Sequence, residues 1–335
     1  IMVEAAYYTN LDDGKVQCLL CPALCKLRSG QTGSCHIRKN IEGKLYALTY
    51  GRISALHTDP VEKKPLYHFF PGRPVLSVGS AGCNLHCTFC QNYDISQHGS
   101  DEIPLHNLTP RELVRKATNV SGNLGIAYTY NEPAIWFEYV KDTATLAKQH
   151  GLKNILVSNG YINPEPLQEL IPLIDAVNVD LKAFNDHFYR KYTGSKFTPV
   201  LETLRILHKN NIHTEITILI IPGLNDDREK FLEMCRWIAE YLGHETVLHI
   251  SRYFPAWKMT IPPTPPETLE KLFFTAKKVL DYVYVGNIHL REGRDTICPK
   301  CGEIVIHRSG YYTETTGLDS EGDCINCHYH IIDHL

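Results

Sequence analysis

Between residues 74 and 287 short apolar runs keep returning: PVLSVG, LGIAYTY, NILVSN, AVNVDL, HTEITILII, TVLHIS and DYVYVGN. Helical periodicity fills the intervals, as in AIWFEYVKDTATLAKQHG, which stops at Gly151, and KFLEMCRWIAEYLG, which stops at Gly243. Strands that alternate with helices predict an α/β chain built on a parallel sheet. The expectation is a partial parallel (β/α) barrel of about six or seven units. It spans residues 75–290, with residues 1–74 and 291–335 left as small flanking modules.

In a parallel barrel the chemistry collects where the strands end. LGIAYTY is followed by Asn131-Glu132-Pro133, NILV by Ser158-Asn159-Gly160, and AVNV by Asp180 and Lys182. ITILII leads to Pro222-Gly223 and Asn225, and TVLHIS to Arg252 and Tyr253. Each has a plainer reading. Asn131 and Pro133 suit a helix start, Ser-Asn-Gly is ordinary turn chemistry, and Asp180 with Lys182 could be a surface pair of little worth. Their shared placement on successive strand ends outweighs those separate readings and points to one rim that holds one polar ligand.

The flanking modules are cysteine-rich. Cys298, Cys301, Cys324 and Cys327 form two C-x2-C knuckles, a spacing that suits a tetrahedral zinc ribbon. His328 and His330 lie beside them but are not needed to close four-coordinate zinc. Cys18, Cys21, Cys25 and Cys35 form a second quartet that suits zinc or an iron–sulfur cluster, and ligand type alone does not separate the two. Four free thiols is the bland alternative. Cys235 falls inside a helical pattern and reads as a small core residue.

Cys83, Cys87 and Cys90, in GCNLHCTFCQN, are a set of three. Three thiolates on a 4Fe-4S cube leave one iron open, where an ordinary electron-transfer cluster has a fourth cysteine. The open iron can chelate the amino and carboxylate groups of S-adenosylmethionine (SAM). Reduction then breaks a carbon–sulfur bond and releases a 5'-deoxyadenosyl radical that abstracts unactivated hydrogens. A zinc site completed by a remote ligand such as His86 would use the same spacing.

GCNLHCTFCQN resembles the signature of the radical SAM superfamily, and the resemblance implies that Phe89 lies near the adenine. The order of VSNGYI, VNVDLK and IIPGLND is similar to that of the glycyl-radical-enzyme (pyruvate formate-lyase) activating branch, with YNEP where that branch has Gly-Gly-Glu-Pro. This implies that Asn131, Glu132 and neighbouring backbone hold the SAM amino group, that Ser158 and Asn159 face SAM, and that Asp180 and Lys182 set its carboxylate end. Val157 stands where that branch has an acidic residue, which puts a supporting cation in doubt. CLLCPALC, DPVEKKPLYHFFPG, GCNLHCTFCQNYDISQ, YTYNEPAIWFEY, VYVGN and the terminal ribbon are more closely similar to the radical SAM enzyme of the AmmeMemoRadiSam system. That resemblance runs from about residue 16 to 330. It implies a reductant such as flavodoxin or ferredoxin and a partner protein of that system, without naming a substrate.

Net charge is -3, with 34 Lys and Arg against 37 Asp and Glu. No basic stripe marks a nucleic-acid surface, so an RNA-modifying role ranks last. No run reaches the roughly 18 apolar residues of a membrane span, and the start lacks signal-peptide character, so a cytoplasmic location is expected. Hydrogen abstraction from an unidentified substrate is the leading expectation. The alternatives are an activating enzyme acting on a protein backbone and, from another class, a metal-binding interaction or electron-carrier protein. Lys63, Lys64 and His68, in DPVEKKPLYHF, reach substrate or cluster, or else form a solvated turn.

Overall fold

The computed structural model describes residues 2–288 and 292–335. All seven apolar runs are strands: β2 (Pro74–Gly79), β3 (Gly125–Tyr128), β4 (Lys153–Ser158), β5 (Ala176–Asp180), β6 (His213–Ile220), β7 (Leu248–Arg252) and β8 (Val283–Gly286). They pair in sequence order, each parallel to the next. An eighth strand, β1 (Ala55–Pro60), lies antiparallel on the outer edge of β2. β1 and β8 do not pair with one another, so the sheet is an open, partial barrel.

Among the described residues, six helices of seven residues or more connect the parallel strands: α1 (Pro110–Thr118), α2 (Phe137–Gln149), α3 (Pro164–Leu170), α4 (Thr198–Lys209), α5 (Arg228–Leu242) and α6 (Pro266–Ala276). Their starts follow from local chemistry. Thr109 and Glu112 form a reciprocal capping box on α1, and Asp227 accepts the Lys230 amide at the head of α5. Apolar faces such as Phe231, Met234, Cys235 and Ile238 of α5 are buried against the sheet. Cys235 is thus a core residue, as its helical setting implied.

Two small three-stranded sheets make the N-terminal segment: Val3–Glu4 with Lys44–Ala47 and Arg38–Ile41, and Tyr8–Asn10 with Val16–Cys18 and Lys26–Leu27. At the other end Thr296–Ile297, Ile304–Ser309 and Tyr312–Glu314 form an antiparallel ribbon. The expected boundary between barrel and ribbon, at 290/291, lies outside the described residues.

The ribbon packs on the barrel around Val247, Tyr282 and Tyr284. Its Arg308 is fully buried, donates to the Tyr67 carbonyl at 2.8 Å and lies over the Tyr67 ring. Beside it, buried Glu215 accepts the backbone amides of Tyr67 and His68 and the imidazoles of His213 and His249. Polar groups buried this deeply are tolerated because they are paired. The packing covers the barrel near the starts of β6–β8, and a cavity opens at the ends of the strands.

Candidate active site

The loop after β2 carries the three cysteines. Asn131 ties it to the end of β3: its side chain accepts the Ser80 amide and donates to the Ala81 and Gly82 carbonyls at 3.0–3.1 Å. Gly82 has φ +79°, and a Cβ there would stand 2.3 Å from the Cys35 carbonyl, so the turn requires glycine. Cys83, Cys87 and Cys90 then line one cavity of about 350 Å³, a volume within the usual range for small-molecule sites.

Asn131, Glu132, Asn159, Asp180, Lys182 and Phe89 line the same cavity. Ser158 stands behind it, donating to Glu132 Oε1 at 2.7 Å. Glu132 also accepts the Ala134 amide at 2.9 Å and the Asn159 amide at 2.7 Å, so Glu132, rather than Asn131, caps the turn that begins at Pro133. Burial pushes the Glu132 carboxyl up to about 7 against these three hydrogen bonds, and Asp180 adds to the rise.

Lys182 and Asp180 form an ion pair at 2.8 Å beside the cavity. Burial works against the Lys182 charge, but Asp180 and the Cys87 sulfur outweigh it and raise its affinity for a proton. This pair is therefore part of the cavity wall and not a solvated surface contact. Asn225, on the loop after β6, donates to the Lys182 carbonyl at 2.9 Å and steadies the segment. Asn159 joins the cysteine loop directly, donating to Asn84 Oδ1 at 2.9 Å and lying 3.6 Å from the Cys83 sulfur. Phe89 is buried with its ring centroid 5.8 Å from that of Phe188.

The charged segment before β2 divides. Lys64 is buried, bonded to Asp59 at 2.8 Å and packed over the Tyr130 ring, and with Lys63 it lines the cavity. A solvated turn does not describe it. His68 instead lies among the aromatic groups near the ribbon, 2.7 Å from the Tyr284 hydroxyl, where burial pushes it down to about 3 and keeps it neutral. Arg252 and Tyr253 also turn away, bonding to Thr264 and Met259. Thr129, Tyr130, Thr217, Ser251 and Asn287 also line the cavity, although no motif marks them in the sequence. Register offers a signal for one of them: Thr217 pairs with Asp180 across β5 and β6.

The donor set fits an iron–sulfur cluster with an open corner. Cys235, the one cysteine outside the three groups, is buried in α5, so no fourth thiolate serves the trio. His86 bonds Gln97 at 3.1 Å and does not line the cavity. Among the described residues, only Cys298, Cys301, Cys324 and Cys327 bring three or more ligand atoms within 4.8 Å of one another. The Cys298–Cys327 and Cys301–Cys324 sulfurs are 3.5 and 3.6 Å apart, near the edge of about 3.8 Å that four bonds of zinc length would set. His330 is occupied by Asp323 and Asp333.

The Radical SAM superfamily model matches residues 77–235, the stretch that carries the trio and the strand ends described above. An uncharacterized protein of Methanocaldococcus jannaschii is 44% identical over 322 residues, covering 96% of either chain. Residues 77–235 form a radical SAM superfamily domain. Among its radical SAM relatives, the pyruvate formate-lyase 1-activating enzyme of Escherichia coli is 30% identical over 151 residues, 44% of this chain and 61% of that enzyme. The fold is shared with a radical SAM methyltransferase from Sphaerobacter thermophilus (TM-score 0.51, 17% identity, 65% of this chain and 67% of that one). It is also shared with Streptococcus suis SuiB bound to S-adenosylmethionine (TM-score 0.52, 13% identity, 68% and 53%). Membership of the radical SAM superfamily implies a 4Fe-4S cluster and SAM, and the three-cysteine cavity fits both.

Proposed function

We propose that this chain is a radical SAM enzyme that holds a 4Fe-4S cluster on Cys83, Cys87 and Cys90, binds SAM beside it, and abstracts hydrogen from a substrate. One observation carries the reading: three cysteines without a fourth share a cavity with the buried Glu132 carboxylate and the ammonium of the Asp180–Lys182 ion pair. When bound and reduced, the cluster supplies one electron to the SAM sulfonium, whose cleavage yields methionine and a 5'-deoxyadenosyl radical.

The chain's own groups bind and orient. Glu132, held by three hydrogen bonds, offers its carboxylate as acceptor to the SAM amino group, and Lys182 presents positive charge to the SAM carboxylate. Asp180 holds the Lys182 ammonium in place, Asn159 bridges the rim to the cysteine loop, and Phe89 offers an apolar wall for the adenine. A second cavity of about 750 Å³ shares Lys63, Ser251 and Asn287 with the first, which supports room for a substrate next to SAM. A flavodoxin- or ferredoxin-type protein is the proposed reductant. The resemblance along the chain supports a place in the AmmeMemoRadiSam system, with a partner protein of that system delivering the substrate. The likeness to an activating enzyme favours a second reading in which that substrate is a protein backbone. The C-terminal four are proposed to hold structural zinc.

Electron paramagnetic resonance tests the SAM site. The reconstituted, reduced protein is expected to change its spectrum when SAM is added, because SAM ligates the open iron. A fully assembled cluster whose spectrum ignores saturating SAM would refute the reading.

A further inference from the structure

Cys18, Cys21, Cys25 and Cys35 converge on a small pocket under the cysteine loop, walled also by Gly33, Ser34, Arg38 and Ile135. Three of the four are buried. The C-terminal four already show what a zinc-sized set looks like, and these four differ: no three of their sulfurs fall within 4.8 Å of one another. Bridging sulfides between irons hold cysteine sulfurs farther apart than one tetrahedral ion does. Gly33 adds to the cradle, since a Cβ there would stand 3.7 Å from the Cys25 sulfur and 3.8 Å from that of Cys35.

Arg38 supplies a second, independent observation. It is 1% exposed, and one terminal nitrogen is engaged by Glu138 and the Ala6 carbonyl. Its Nε and its other terminal nitrogen have no partner among the described residues, although the side chain lines the pocket. Buried donors seldom go unpaired, and those of a guanidinium least of all. Anionic sulfur in the pocket would satisfy them.

We infer that Cys18, Cys21, Cys25 and Cys35 hold an iron–sulfur cluster, into whose sulfurs Arg38 donates. The site abuts the radical centre. The Cys35 carbonyl packs on Gly82 in the trio's own loop, and Cys35 shares a buried apolar cluster with Ala81 and Ile135.

The test uses the full chain with Cys83, Cys87 and Cys90 all replaced by alanine, reconstituted with iron and sulfide without oxygen. This variant is expected to retain iron and acid-labile sulfide in equal amounts, with the visible absorption of an iron–sulfur cluster. Adding Cys18→Ser and Cys35→Ser should abolish that iron while the zinc of the C-terminal four stays as a mark of a folded chain. Arg38→Gln should retain the iron but shift its reduction midpoint to more negative potential, because positive charge and hydrogen bonds to sulfur favour the reduced cluster. Zinc in place of iron at the N-terminal four would overturn the inference, as would a triple variant that is folded but free of iron. An unchanged midpoint in Arg38→Gln would overturn the role given to Arg38. None of these outcomes depends on SAM cleavage, because the trio is absent.

Discussion

Glu132 shows how one residue tunes the site. In the free protein burial raises its carboxyl from an ordinary 4.5 to about 7. The neutral form therefore favours the fold fully below pH 4.5, and that contribution fades by about pH 7. Binding has the opposite slope, since a SAM amino group on the open iron is deprotonated and donates most strongly to the ionised Glu132 carboxylate. Affinity for SAM should rise roughly tenfold between about pH 6 and pH 8, and calorimetry across that range checks it. In Glu132→Gln the dependence should flatten, with weaker binding at the upper end. Gly82 makes a steric prediction. Gly82→Ala places a methyl against the Cys35 carbonyl in a left-handed turn and should cost upwards of ~2 kcal/mol. Thermal unfolding would register that loss, and iron content should fall because the trio's loop is displaced.

At the scale of elements, the seven parallel strands were legible because each is a short apolar run bounded by turn residues, and the sheet buries both faces. β1 was not: ALHTDP alternates poorly, and its place is set by pairing with β2 rather than by its own pattern. Strand ends told which residues meet, so Glu132, Asn159, Asp180 and Lys182 could be named from sequence. Side-chain direction was not legible. Arg252 and Tyr253 occupy a strand end as well, yet both are drawn off by the Thr264 segment. Lys64 stayed open between a site residue and a solvated charge because its partner Asp59 lies on β1, the strand that the sequence hid. The ribbon makes its own prediction. Metal analysis should find one zinc per chain that survives loss of the trio and disappears in Cys301→Ala/Cys324→Ala, with a lower unfolding temperature because coordination contributes to folding.

Across the whole molecule the two ends of the barrel have different tasks. Near the strand starts, the ribbon closes the barrel through Arg308, Tyr67 and Glu215, a paired polar core in which few groups are free to act. At the strand ends, the N-terminal segment backs the cysteine loop, and the open cavity collects the charged groups. The sequence could not foretell this division, because Arg308 and Tyr67 are 241 residues apart and nothing in either segment names the other as its partner. Radical chemistry at the trio would leave 5'-deoxyadenosine as its most direct trace. Protein reconstituted with iron and sulfide, reduced and mixed with SAM and its substrate fraction should form 5'-deoxyadenosine, and Cys87→Ala should form none. Equal product from both proteins, or none from a parent with an assembled, reduced cluster, would contradict it.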